Sequence, residues 1–174
     1  MINNKMKNLI LWGLRITLTI AVFVVLGWIF SNSLKDATQS GAQSSQVTED
    51  IKQAIEVVNP DVSFGGATEE EDFNILHSYI RDFGHFAEFA LLCALCVWCL
   101  RSWTTKKFFL FVPIPLSITI AVFDEYLQTF SAGRAQELGD IFLDTAGASV
   151  GFAFAICALL VLGWIYKSLQ EKRS

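Results

Sequence analysis

Residues 141–166 read IFLDTAGASVGFAFAICALLVLGWIY, and this stretch is the strongest indication of the fold. It is long and apolar enough to cross a bilayer as a helix, for which about 20 mostly apolar residues are needed. Its one charged residue, Asp144, lies near its beginning. Gly147 and Gly151 lie four residues apart among small side chains, and such a spacing allows another helix to approach closely. The stretch therefore predicts a tightly packed membrane helix that presents an acid to its neighbours.

Three further apolar stretches precede it, at residues 9–30, 83–100 and 108–130. The chain of 174 residues is 53% hydrophobic and 17% charged, with a net charge of −4 and a mean hydropathy of +0.45. This composition is too apolar for an ordinary soluble domain. Pro113 and Pro115 are tolerated because they lie near the end of their stretch. We expect an all-α integral membrane protein, a four-helix bundle that forms one domain over residues 1–174.

The positions of lysine and arginine predict the orientation, because short cytoplasmic loops are rich in these residues. They precede the first span, separate the second from the third, and follow the fourth: Lys5, Lys7, Arg101, Lys106, Lys107, Lys167 and Lys172. We therefore expect both termini in the cytoplasm and residues 31–82 on the outer side of the membrane. The sequence has no basic patch with interleaved aromatic residues, so we expect no nucleic acid partner. The expected partners are membrane lipids, because four apolar stretches lie in the bilayer.

The extracytoplasmic segment, residues 31–82, has three parts. Its first half is rich in serine and predicts turns. Residues 45–58 predict a short amphipathic helix, whose apolar stripe is Val47, Ile51, Ile55 and Val58. Because this helix lacks a lysine-rich polar face, a cap on the bundle is favoured over a helix lying on the lipid surface. Residues 65–72, with two glycines and an acidic run, predict a mobile loop.

The start of the second span carries three ionisable residues on one helix face. Arg81, His85 and Glu88 lie at positions i, i+4 and i+7. Charges at membrane depth are costly, so they usually face the interior of a bundle and carry function. His85 is the natural candidate for proton transfer, because imidazole titrates closest to neutral pH. The alternative is that His85 and Glu88 join helices through hydrogen bonds.

The end of the third span carries two neighbouring carboxylates. Asp124 and Gln128 share a helix face at i and i+4, and Glu125 lies beside them. Both carboxylates can be ionised near a membrane boundary only if cations lie nearby. Arg81 and Arg134 are the available cations. One alternative to a functional site is therefore a network of ion pairs that locks the helices together.

The fourth span begins with a second acidic pair. Asp140 and Asp144 lie at i and i+4, and Asp144 continues the stripe of Gly147 and Gly151. Asp140 has the alternative role of capping the helix, where an acid suits the dipole. Carboxylate oxygens suit Mg²⁺ or Ca²⁺, but nothing in the sequence requires an ion, so we expect no metal and no cofactor. The four cysteines fall inside spans and are interpreted as small apolar residues.

Taken together, several of these stretches resemble the VanZ-like family. The resemblance rests on FDEYLQTF at 123–130, Gly133 with Arg134, Asp140, and DTAGASVG at 144–151. IRDFGHFAEF at 80–89 is similar to the second-span motif of that family. FSNS at 30–33, followed by Ser40 and Ser44, resembles its first outer loop. Asp82 departs from the pattern, since the family usually has a lysine there, and this weakens a role for paired cations before His85.

The resemblance implies a multi-pass protein of the bacterial cytoplasmic membrane. The family takes its name from a protein linked to low-level resistance to the glycopeptide teicoplanin, and it supplies no established catalytic residues. What carries over to this chain is a set of candidate ligand-binding positions: Arg81, His85, Asp124, Glu125, Gln128, Arg134, Asp140 and Asp144.

Three hypotheses about function stay open. In the first, a polar pocket at the outer leaflet recognises an anionic headgroup of a lipid-linked precursor or envelope polymer and thereby lowers teicoplanin susceptibility. Arg81 and Arg134 would hold phosphate there. In the second, the protein is an enzyme on such a substrate, with His85 and either Glu88 or Glu125 as the acid/base pair. In the third, it is a structural scaffold of the membrane.

Overall fold

The computed structural model describes residues 3–172, so residues 1, 2, 173 and 174 of the expected domain lie outside the described part. Within residues 3–172 the chain is helical and contains no strand. Its elements are α1 (Asn4–Ser33), α2 (Ala37–Val58), α3 (Glu69–Trp103), a 3₁₀ turn (Lys107–Phe111), α4 (Pro113–Gln128) and α5 (Leu138–Glu171). Pro113 is the first residue of α4, where proline needs no backbone donor. The predicted all-α fold is confirmed.

Four helical stretches in the described chain are long and apolar enough to cross a membrane: Asn4–Ser33, Glu69–Trp103, Lys107–Gln128 and Leu138–Glu171. They correspond to the four predicted spans. α1, α3 and α5 extend beyond those spans at both ends, and the third stretch ends two residues earlier than predicted. Large apolar side chains point outward along them; Leu9 is 73% exposed and Phe154 62% exposed. Because lipid solvates such side chains, the protein is a multi-pass membrane protein.

Residues 31–82 contain more helix than expected, so two predictions about them are wrong. The acidic run at 69–72 forms the first turn of α3, where acids suit the helix dipole, and Thr68 caps it by accepting a bond from the Glu71 amide at 3.2 Å. The serine-rich half is also helical. Asp36 accepts a bond from the Gln39 amide at 2.7 Å and starts α2. Because Asp36 and Thr68 accept hydrogen bonds from backbone amides, these polar stretches begin helices rather than form turns.

α2 packs against α3 at one end of the bundle. The Ser44 hydroxyl lies 2.6 Å from Nε2 of His77, and Lys52 pairs with Glu69 at 3.5 Å. The predicted apolar stripe is not the face that α2 buries: Thr48 is fully buried, whereas Val47 is 45% exposed. Thr48 tolerates burial because its hydroxyl donates to the Ser44 carbonyl at 2.8 Å.

α3 is the central helix and contacts all four other helices, most extensively α5. The two backbones approach closely at Gly147 and Gly151, where an added Cβ would collide with the backbone of Phe86 and Ala90. The predicted close approach of the fourth span is therefore confirmed. Elsewhere the core is apolar, and two of the cysteines, both unpaired, pack within it: Cys93 and Cys96.

Candidate functional site

A cavity of about 260 Å³ opens at the end of the bundle that α2 covers. α1, α2, α3, α4 and the loop between α4 and α5 all contribute to its walls. The polar side chains that line it are Asn32, Ser33, Lys35, Ser40, Gln43, Ser44, Arg81, His85, Glu88, Asp124 and Arg134. Residues from the second span, the third span and the following loop therefore meet in one cavity, although they are far apart in the sequence.

One wall of the cavity joins α1 to α3 through Glu88. Its Oε1 atom accepts hydrogen bonds from Nε1 of Trp28 at 2.8 Å and from Nδ2 of Asn32 at 2.9 Å. Lys35 extends this wall to α2, donating to Oδ1 of Asn32 at 2.8 Å and to Oε1 of Gln43 at 2.5 Å. Lys35 was not predicted to be a site residue, and Asn32 entered only as part of the FSNS stretch at 30–33. Their three-residue spacing at the end of the first span was the available signal.

The loop that joins α4 to α5, residues 129–137, is tied to the end of α1. Nη1 of Arg134 donates to the Asn32 carbonyl at 3.2 Å, and the Ser131 hydroxyl donates to the Ser33 carbonyl at 2.8 Å. The Ser33 carbonyl belongs to the last turn of α1, where carbonyls lack partners within the helix, and the Asn32 carbonyl also accepts from the Lys35 amide at 3.2 Å. Gly133, with φ of +75°, makes the turn just before Arg134. The loop thus holds the Arg134 guanidinium at the edge of the cavity.

Arg81 is the most accessible cation of the cavity. Its nearest carboxylate is Asp82, the residue that departs from the family pattern, at 3.7 Å from Nε. The side chains of Arg81 and Asp82 are 46% and 42% exposed. Exposed ion pairs of this kind are weak, with a typical strength of about 0–1 kcal/mol. Arg81 therefore keeps most of its hydrogen-bonding capacity for a ligand.

Asp124 and Glu125 are both buried, but they have different neighbours. Asp124 lines the cavity and accepts hydrogen bonds from the Ser33 hydroxyl and from Nε2 of Gln128, the latter at 3.3 Å. Glu125 faces away from the cavity. It accepts bonds from Nε2 of Gln128 at 2.7 Å and from the Glu137 amide at 2.8 Å. Glu125 and Gln128 therefore secure α4 to the start of α5.

The ion pairs proposed between these carboxylates and arginines are not formed. In the described part of the chain, neither Arg81 nor Arg134 lies within salt-bridge distance of Asp124 or Glu125. Hydroxyl, amide and backbone N–H groups satisfy these two carboxylates instead. Neutral donors are sufficient for buried carboxylates when the hydrogen-bond geometry is good.

Asp144 lies behind the cavity and is fully buried. Its Oδ1 atom is 3.7 Å from Nδ1 of His85. Within residues 3–172, both carboxylate oxygens of Asp144 lack a hydrogen-bond partner, and so does Nδ1 of His85. The carboxylate closest to His85 is thus Asp144, rather than Glu88 or Glu125. Asp140 lies one turn earlier, partly buried in the first turn of α5, outside the cavity lining and not at the N-cap position, which is Glu137.

Four membrane-spanning stretches, with a polar cavity at one end of the bundle, define the class of this chain: a small multi-pass membrane protein with an interior site. A sequence model of the VanZ/LLP1 family matches residues 17–162, which include every candidate site residue. The chain belongs to the VanZ/LLP1 family, as its motifs indicated. No curated protein and no solved structure matches it.

Proposed function

We propose that the protein recognises an anionic headgroup of a lipid-linked precursor or polymer of the bacterial cell envelope. The observation that carries this proposal is the cavity, whose edge brings together three cationic side chains from different elements: Lys35, Arg81 and Arg134. Such a group binds phosphate or carboxylate well, because guanidinium and ammonium donate several charge-assisted hydrogen bonds.

The donors at the edge of the cavity are only partly used. The Arg134 side chain makes one hydrogen bond in the described chain, to the Asn32 carbonyl, although a guanidinium has five N–H donors. Among residues 3–172, the Arg81 side chain has only its exposed pair with Asp82. Both side chains can therefore bind a phosphate without losing the contacts that hold the helices. Glu88 and the hydroxyl groups of Ser40 and Ser44 supply polar partners for the sugar or alcohol part of a headgroup.

The volume of the cavity limits the ligand. Pockets for drug-sized ligands enclose about 300–1,000 Å³, whereas this cavity encloses about 260 Å³. One phosphate-bearing headgroup fits, and its acyl or isoprenoid chain can remain in the lipid. In this proposal a glycopeptide antibiotic such as teicoplanin is not the ligand. Susceptibility falls because the protein binds or shields an envelope component at the outer surface.

The proposal places the cavity at the outer leaflet of the cytoplasmic membrane, with both termini in the cytoplasm. Its support is the charge distribution along the spans. Lys5 and Lys7 lie near the beginning of α1, Arg101 lies near the end of α3, and Lys107 begins the next span, all at the end of the bundle opposite the cavity. Basic residues at that end favour its cytoplasmic location.

The direct test is native mass spectrometry of the full chain purified from bacterial membranes. The Arg81→Ala variant removes a cavity cation whose one ion pair within residues 3–172 is weak, and Arg101→Ala removes an exposed arginine from the opposite end of the same helix. We expect a specific anionic lipid on the wild type and on Arg101→Ala, with at least about tenfold weaker binding to Arg81→Ala, a change of about 1.4 kcal/mol. Equal lipid binding by the three proteins would rule out the cavity as the headgroup site.

A second candidate function is catalysis on the same class of substrate. The observation that favours it is that His85, which lines the cavity, lies 3.7 Å from the buried carboxylate of Asp144, since a histidine beside a carboxylate is a common general base. Here Asp144 takes the place that Glu88 or Glu125 had in the sequence-based hypothesis. This candidate is tested by product formation from a copurified lipid in detergent, which should stop in His85→Asn.

The third hypothesis, a structural scaffold, attributes the same polar contacts to stability alone. In that case variants that remove these charges would misfold or be lost from the membrane, and no specific lipid would copurify with the wild type. The lipid measurement above therefore separates the scaffold from the headgroup-binding protein.

A further inference from the structure

We infer that His85, Asp124 and Asp144 bind a divalent transition-metal ion at the inner end of the cavity. The three residues come from three different helices, α3, α4 and α5. Each offers one ligand atom, and these atoms all lie within 4.8 Å of one another. This inference does not require that the cavity bind a headgroup.

The hydrogen bonding of Asp144 is the independent observation. A fully buried carboxylate normally has hydrogen-bond donors or a cation beside it, because an unsatisfied buried charge is very costly. Both oxygens of Asp144 lack a hydrogen bond in the described chain, and so does Nδ1 of His85. The separation of 3.7 Å between Nδ1 and Oδ1 is too long for a hydrogen bond. No arginine or lysine side chain of residues 3–172 lies within salt-bridge distance of Asp144.

The same separation suits two ligands of one metal ion. Bonds of about 2.1 Å at tetrahedral angles place two ligand atoms about 3.4 Å apart, close to the observed 3.7 Å between His85 and Asp144. Asp124 accepts a hydrogen bond from the Ser33 hydroxyl. Ser33 would therefore not bind the ion itself, but would orient the Asp124 carboxylate that does. Small side-chain rotations would be enough to bring the three atoms into coordination.

The kind of ligand selects the ion. One imidazole nitrogen with two carboxylate oxygens suits Zn²⁺ or Mn²⁺, whereas Mg²⁺ and Ca²⁺ take oxygen ligands. Three protein ligands leave a coordination position open, as in catalytic zinc sites. His85 and Asp124 also line the cavity, so that position would face it. If the proposed function holds, the ion would offset the two carboxylates and allow a phosphate oxygen to approach.

The test measures metal alone, without lipid substrate. The full chain is purified in detergent without chelators, and its Zn²⁺ and Mn²⁺ contents are measured by mass spectrometry before and after equilibrium dialysis against each ion. We expect about one ion per chain, and a loss of at least about 100-fold in affinity for Asp144→Asn. Asp140→Asn is the matched control, since it makes the same change one turn earlier on the same helix.

A spectroscopic measurement distinguishes the loss of a metal ligand from misfolding of the variant. Co²⁺ bound by imidazole and carboxylates absorbs in the visible range, so its spectrum reports the ligands directly. If Asp144→Asn loses helical circular dichroism, His85→Asn provides the comparison at a partly exposed position and should also abolish the Co²⁺ band. The inference is overturned if the wild type binds none of the three ions, or if Asp144→Asn and His85→Asn bind as well as Asp140→Asn.

The two proposals fail separately. Arg81→Ala should keep the metal and lose the lipid. Metal binding without a specific lipid would leave the ion site intact and refute the headgroup proposal. A specific lipid on a protein that binds no metal would support the headgroup proposal and refute the ion site. Asp144 would then be a buried neutral acid.

Discussion

Replacing Gly151 by alanine should force α5 away from α3. A Cβ at this position would lie 2.6 Å from the carbonyl carbon of Ala90 and 2.7 Å from its Cα, with the carbonyl oxygen closer still. Carbon atoms prefer separations of about 3.5 Å or more, so the helices must separate by about 1 Å. Because the obstacle is backbone, no side-chain rotation relieves it. The separation would also draw Asp144 away from His85.

The magnitude follows from measured effects of overpacking. Adding a methyl group to a closely packed contact costs about 1–3 kcal/mol, which a gain in helix propensity of up to about 1 kcal/mol partly offsets. Gly163→Ala is the matched control on the same helix, since nothing lies within 4 Å of a Cβ there. We expect Gly163→Ala to be neutral or slightly stabilising, and Gly151→Ala to lower the free energy of unfolding.

The assay is unfolding in a titration with SDS, followed by circular dichroism. Thermal exposure of the buried thiols of Cys93 and Cys96 to a maleimide dye is a second readout, with the already exposed Cys157 as the baseline. If Gly151→Ala and Gly163→Ala unfold at the same SDS fraction and label at the same temperature, the close contact of α3 and α5 is not as described here.

Two further predictions concern the loops and the orientation of the protein in the membrane. Glu125→Gln should destabilise the protein by about 1–3 kcal/mol, because the new amide cannot accept from both partners that Glu125 now satisfies, the Gln128 side chain and the Glu137 amide. Residues 129–137 should then be cleaved faster by protease, and an unchanged cleavage rate would contradict this role of Glu125. In intact cells, an impermeant maleimide should label Asp61→Cys, while Thr105→Cys should be labelled only after permeabilisation. The opposite pattern would show that the cavity faces the cytoplasm.

Residues 31–82 show where local patterns mislead. Serine-rich residues after the first span predicted turns, yet Asp36 starts a helix at Ala37. The acidic run at 69–72 predicted a loop, yet Thr68 caps it as the beginning of α3. Both signals were present, since aspartate and threonine are common N-caps. These N-cap signals were not used, because a short polar stretch does not show by itself which side chains will accept hydrogen bonds from the backbone.

The candidate site shows a different limit. Residues 81, 85, 88, 124 and 134 were expected to lie together, and they line one cavity. Their individual partners were not predictable. Glu88 binds Trp28 and Asn32, and His85 lies beside Asp144. Spacing within one helix identifies which residues share a face, but it does not identify the residue that faces them on another helix.

The amino-acid sequence was enough to predict a helical membrane protein of the VanZ/LLP1 family, with its ionisable residues at the ends of the spans. Hydropathy and motif spacing are properties of short segments, so they can be recognised without knowledge of the folded structure. Which side chains contact one another was known only from the folded structure. That depends on how the helices rotate about their axes and how closely they approach, and here Gly147 and Gly151 determine the approach of α5 to α3. Asp144 is consequently held beside His85 in a buried position, where a difference of about 1 Å decides whether two groups can share a metal ion.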